Sequence, residues 1–204
     1  MMEIQTLSLG HMEVNCYVVS NPETGKCVVI DPGDESNVIL DYIEDNRLEC
    51  EAIMITHGHY DHTGAVATVA EETGATVYMN EKDDHHGKTF LFPYTLPENG
   101  KYYDDGDTIE AAGLSFHIMA TPGHSAGSVT IVCEDALFTG DTLFKGSCGR
   151  VDLESSDPDA EMLSLKYICS IEGEYDVYPG HMDPSTLSRE KAFNYYCRQA
   201  MHIR

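Results

Sequence analysis

The stretch that decides the reading is His57-Gly58-His59-Tyr60-Asp61-His62, which puts four metal-capable side chains within six residues. It follows Glu51-Ala52-Ile53-Met54-Ile55-Thr56, whose apolar run reads as a buried strand. In extended chain the side chains at i and i+2 face the same way, so His57 and His59 can hold one ion. A turn into helix then swings Asp61 and His62 toward a neighbouring position. Random placement of the chain's histidines and aspartates yields such a pattern with a probability of roughly 0.002, so a solvated polar loop is the weaker explanation.

Three later signals end expected strands: Thr121-Pro122-Gly123-His124, Phe138-Thr139-Gly140-Asp141 and Tyr178-Pro179-Gly180-His181. Each sets a His or Asp beside a Gly, where the chain can turn sharply and approach an ion closely. Singly, each reads as readily as a cap or a surface group. Joined to the first motif they supply five imidazoles and two carboxylates, the inventory for two ions. Imidazole and carboxylate without thiolate suit zinc, the default, but also iron and manganese. Two divalent ions with Asp61, Asp141 and a bridging hydroxide leave about +1 in the site, enough to favour an oxyanion or a substrate carboxylate locally.

The rest of the chain is strongly acidic. Its 204 residues carry 12 Lys and Arg against 35 Asp and Glu, a formal charge of −23. The basic residues are scattered singly, with no stripe to displace counterions, which excludes nucleic acid and disfavours anionic membranes as partners. Neither a signal-length apolar run near Met1 to Gly10 nor a window of ~20 apolar residues is present, so the expected location is cytoplasmic. Seven cysteines, odd in number and without a CxxC pair, read as free thiols. Length and composition predict a single domain, 1–204, that folds without staples; the oligomeric state is not legible.

Strands are expected at Glu3 to Leu7, Val14 to Ser20, Lys26 to Asp31, Glu51 to Thr56, Thr76 to Met79, Leu114 to Ala120, Ser128 to Cys133, Ala136 to Thr139 and Tyr175 to Tyr178. Helices are expected at Ser36 to Asp45, with Ser36 or Asp34 as N-cap, and at Thr63 to Glu72, Pro158 to Ile171 and Thr186 to Arg198. Glu81 to Gly106, polar and broken by Pro93, Pro97 and three glycines, reads as a long excursion over the surface. Mostly antiparallel strands in two groups suggest two packed sheets with helices outside. His11, His85, His86, His117 and His202 lie outside the metal pattern.

The motif set resembles the metallo-β-lactamase superfamily, from about Val14 through His181 and on into Thr186, Glu190, Lys191 and Asn194. Within it, Asp141-Thr142-Leu143-Phe144 and Gly146-Ser147-Cys148-Gly149-Arg150 with Asp152 resemble the short single-domain hydrolases of the glyoxalase II (hydroxyacylglutathione hydrolase) type. The resemblance implies an α+β fold, a four-layer αββα sandwich with its site at one edge of the sheets. It implies that His57, His59 and His124 hold one metal, that Asp61, His62 and His181 hold a second, and that Asp141 bridges. The activity implied is hydrolysis of a small thioester such as an S-2-hydroxyacylglutathione by a metal-bound hydroxide, with Asp61 orienting it or taking its proton. Arg150 matches the position where a cation contacts substrate. Asp31, before Pro32-Gly33, is either an acceptor behind the ligands or a turn-initiating Asp.

Two-domain glyoxalase II enzymes use a C-terminal helical domain to help grip glutathione, whereas this chain runs only 23 residues past His181, so a smaller or different substrate is expected. The persulfide dioxygenases, with one iron held by His57, His124 and Asp141, share the Cys148-Gly149-Arg150-x-Asp152 string and form the alternative. The helix from Ser185-Thr186-Leu187 through Asn194 resembles the hydrolases more closely. A metal-binding module without turnover would need a closed site, and seven ligands across two ions leave positions open.

Overall fold

The computed structural model describes residues 2–203. Strands β1 (Glu3–Leu9), β2 (Val14–Asn21), β3 (Lys26–Ile30), β4 (Glu49–Met54), β5 (Thr76–Met79) and β6 (Lys101–Tyr102) form one sheet in chain order. A second sheet takes β7 (Thr108–Ala111), β8 (Leu114–Ala120), β9 (Val129–Cys133), β10 (Ala136–Gly140), β13 (Asp176–Pro179) and β14 (Ser185–Thr186), running β14-β13-β10-β9-β8-β7. A small hairpin, β11 (Leu143–Phe144) with β12 (Ser147–Cys148), leaves the end of β10. The helices are α1 (Ser36–Asp45), α2 (Tyr60–Thr63), α3 (Val66–Thr73), α4 (Pro158–Ser170), α5 (Leu187–Phe193) and α6 (Tyr195–Ala200).

The layering follows from strands buried on both faces. Along β3, Cys27 and Val29 point to a cluster shared with Ile39 and Ile43 of α1 and Val66 and Val69 of α3. Val28 and Ile30 point the other way, to Phe116, Ile131 and Phe138 of the second sheet. That sheet's outer face, Leu137 and Val177, packs on Leu165 and Ile168 of α4, Leu187 of α5 and Cys197 of α6. Two-residue alternation thus sorts one strand's side chains into two cores, which makes four layers, αββα. Burying each large apolar side chain contributes about 1.5–3 kcal/mol.

Several expectations need correction. The second sheet is antiparallel apart from β10 against β13, but the first is parallel from β3 through β6, because α1 and α3 are crossovers between like-directed strands. Neither Ser36 nor Asp34 caps α1; Glu35 precedes it at φ 45. Asp34 Oδ1 instead accepts from the Glu35 N–H, and the Glu35 carboxylate accepts from the Gly10 N–H. The Thr63–Glu72 helix is split, since the Ala65 N–H donates to Pro32 O before α3 begins. The terminal helix breaks at Asn194, whose Oδ1 accepts from Tyr196 and Cys197 N–H groups and starts a new helix. The stretch 81–106 is anchored and not merely superficial: Asp83, Phe92 and Tyr103 are buried, and β6 adds to the first sheet. All seven cysteines are free thiols. Among the described residues no helix is long and apolar enough to cross a membrane.

Candidate metal centre

Four strands deliver the expected ligands to one end of the sandwich. The chain leaving β4 carries His57 and His59 and turns into α2 with Asp61 and His62; His124 follows β8, Asp141 follows β10 and His181 follows β13. All seven side chains converge. Donor atoms of His57, His59 and His124 lie within 4.8 Å of one another, and so do those of Asp61, His62 and His181. Asp141 stands between the two groups: Oδ1 is 3.4 Å from His62 Nε2, while Oδ2 is 3.6 Å from His124 Nε2 and 3.7 Å from His181 Nε2. Close approach is possible there because Gly180 lies against Asp141 and His62, where a Cβ would collide with both.

Tautomers follow from what the other ring nitrogens meet. Nδ1 of His124 faces Arg150 O at 2.9 Å, and Nδ1 of His181 faces Met12 O at 3.1 Å. Nδ1 of His62 faces Asp31 Oδ2 at 2.9 Å, and Nδ1 of His57 faces Thr56 Oγ1 at 3.2 Å, a hydroxyl that itself donates to Asp31. Donation from each Nδ1 leaves the Nε2 lone pair pointing into the site. His59 Nδ1 and His124 Nε2 face each other at 2.9 Å. On the side that faces the cluster, Nε2 of His57 and His62 and Oδ1 of Asp141 are buried with no hydrogen-bond partner. Such orphaned atoms are costly unless something binds them, and a set of lone pairs aimed at common points fits divalent metal ions.

Electrostatics divide the two groups. Burial, reinforced by the neighbouring imidazoles, pushes His57 well below its ordinary pKa and His59 down to about 3, so both are neutral donors. Burial alone would raise the Asp61 and Asp141 carboxyls, but the surrounding imidazoles hold both below their ordinary range and ionised. Asp31 has its place behind the ligands, accepting from Thr56 N–H and Oγ1 as well as from His62. The remaining histidines stay out of every donor cluster among the described residues; His117 pairs with Thr108, and His85 stacks on Phe92.

Sequence reasoning missed two buried carboxylates. Asp83 Oδ2 accepts from the Gly58 N–H and Ser125 Oγ, and its Oδ1 from the Gly127 N–H, at 2.6–2.8 Å. One side chain therefore ties the backbone between His57 and His59 to the loop that carries His124. Glu161 of α4 accepts from the His124 N–H at 2.9 Å, and burial pushes its pKa up to about 8. Asp83 sits in the polar run Asp83-Asp84-His85-His86, which carries no periodicity to announce burial.

The centre opens onto a cavity of about 520 Å³ whose wall includes Asp61, Asp141, Phe144, Cys148, Arg150 and Met182. The β11–β12 hairpin that forms part of this wall is held from behind by Asn194 Nδ2, which donates to Phe144 O and Ser147 O, and by buried Glu190, which accepts from the Gly146 N–H. Arg150 is among the residues that line the cavity, and its guanidinium donates to both oxygens of Asp152, at 2.7 and 2.9 Å.

Residues 9–193 match the profile of the Metallo-beta-lactamase superfamily. The chain is 36% identical to the hydroxyacylglutathione hydrolase of Erwinia tasmaniensis over 71% of its own length and 53% of that protein's. It is 34% identical to the protein of that name from Salmonella paratyphi A over 92% of itself and 72% of the relative. The chain thus spans about half the length of the first and nearly three quarters of the second. TTHA1623, solved in a di-iron-bound form, superposes with a TM-score of 0.81 at 34% identity, covering 94% of this chain and 99% of that one. Site, layering and sequence agree: the chain belongs to the metallo-β-lactamase superfamily.

Proposed function

We propose that the protein is a binuclear metal-dependent hydrolase of small thioesters, the class that S-2-hydroxyacylglutathione represents. The observation that carries this reading is the pair of donor clusters about Asp141, with three orphaned buried atoms facing them, at the floor of an open cavity. His57, His59 and His124 would hold one ion, Asp61, His62 and His181 the other, and Asp141 both. Zinc is the default and iron the competitor, since a relative binds two irons. Bound there, the ions would lower the pKa of a coordinated water and polarise the acyl oxygen.

The chain's own residues do the rest. Asp61, ionised and on the cavity wall, accepts a proton from the attacking water and orients it. Asp31, Met12 O and Arg150 O fix the rings of His62, His181 and His124, so little reorganisation is needed at the moment of reaction. Arg150 and the hairpin form the wall along which the substrate's outer arm would lie. Seven free thiols support a reducing, cytoplasmic setting.

Metal analysis of protein purified without added metal, followed by assays on S-D-lactoylglutathione and on glutathione persulfide, tests the reading. Two ions per chain with thioester hydrolysis is the expected result. One iron per chain with oxygen uptake on the persulfide would transfer the protein to the dioxygenases.

A further inference from the structure

The proposed thioesterase reading leaves the thiol arm open, and the inference here rests on that reading. The acyl carbon must lie at the metal centre, so the longer arm of a short-chain thioester runs outward along the cavity wall. Among the residues lining that wall, Arg150 is the one cation. Its charge is already matched by the two-pronged pair with Asp152. Lys145, in the turn of the same hairpin, is paired with Asp183 at 2.9 Å, next to Met182 of the wall. The cation of the wall and the cation of the hairpin turn are therefore each paired with an aspartate.

Apart from Tyr60, Ser147 and Cys148, what remains of the outer wall is apolar: Met12, Leu91, Phe144, Leu153 and Met182. Met12 is 53% exposed and Met182 60%, so both present flexible thioether surface to whatever enters the cavity. Thioether and aliphatic groups cannot replace the water around a carboxylate or phosphate, and the −23 charge of the chain repels one. We propose that the cavity selects thioesters whose thiol arm is uncharged and apolar, and that the Arg150–Asp152 pair is the specificity element that keeps this wall neutral. Glutathione, with two carboxylates and one ammonium, and thiols bearing phosphates are then poor arms, although the catalytic centre would act on their acyl group.

The experiment holds the acyl group constant. The two-metal protein is assayed on the D-lactoyl thioesters of N-acetylcysteamine, which is neutral, and of glutathione. The neutral thioester is expected to show a kcat/KM at least tenfold higher. Asp152→Asn leaves the Arg150 charge unmatched, and Leu153→Lys adds a cation to the same wall. Each should move the ratio of the two kcat/KM values about tenfold toward the glutathione thioester, chiefly through KM. Asp152 is largely exposed, so its substitution does not endanger the fold. A wild-type preference for the glutathione thioester, or equal values, overturns the inference and leaves the thioesterase reading intact. A ratio that neither variant moves overturns the role given to the ion pair. Failure to hydrolyse either thioester with both metals bound overturns the thioesterase reading and this inference with it.

Discussion

The two donor clusters at the centre are held by different means. His57, His59 and His124 are all imidazoles, each 2–3% exposed, and their loops are fixed through the main chain by Asp83 and Glu161. Asp61, His62 and His181 mix charge types, and the side chains of Asp61 and His181 are 13% and 19% exposed. Here the holding is ring by ring, from Asp31 to His62 and from Met12 O to His181. The first position is thus a closed pocket of imidazoles whose loops are set by hydrogen bonds to backbone. The second is a half-open pocket whose shape is set by individual rings. Access and support differ together, so the two ions should differ in how they leave and in which mutations loosen them.

The largest expected effect falls on the group that belongs to both. Asp141→Ala removes a charge shared between two cations, so metal content should fall below one ion per chain, with at least about a 100-fold loss of turnover. Retention of both metals and full activity would falsify the shared-carboxylate assignment. Asp83→Asn and Asp31→Asn then separate the positions. An amide in place of either carboxylate presents an NH₂ to groups that now donate, and each should weaken one ion by about 10–100-fold. Cobalt titration monitored by its visible spectrum reads which: Asp83→Asn should loosen the all-imidazole position, while Asp31→Asn, which touches His62 directly and His57 only through Thr56, should loosen the other position more. If both changes weaken the same position most, the contrast is wrong.

Chelation sharpens the same comparison without mutation. Dialysis against a strong chelator, with metal counted over time, should remove one ion well before the second, the early loss coming from the position that includes His181. Simultaneous loss would mean that exposure does not control release. The smallest effect belongs to His117→Ala, whose ring pairs only with Thr108 at the surface; metal content should not change, and stability should move by less than about 0.5 kcal/mol.

How much of this was legible depends on how local the cause is. The spacing of His57, His59, Asp61 and His62 is local, and the Gly-flanked His124, Asp141 and His181 each follow a readable strand, so the converging donor set could be assembled from sequence. The direction of strand pairing is not local: nothing in Thr76–Met79 says whether its neighbour runs with or against it. Asn194 illustrates a competition that pattern alone cannot decide. Its side chain satisfies two carbonyls of the hairpin and caps a new helix, and those tertiary bonds outweigh the continuous helical spacing around it. Asp83 is the clearest miss, because its burial comes from loops 25 and 44 residues away in the chain.

Arg150 meets the centre twice, with its carbonyl on His124 and its side chain on the cavity wall. Any amino acid supplies that carbonyl, so the side chain can be exchanged without retuning the ring that it orients. On the proposed reading, inheritance of chemistry and choice of substrate are uncoupled at a single position: a descendant could acquire a new clientele by changing one side chain here while keeping its reactive core untouched.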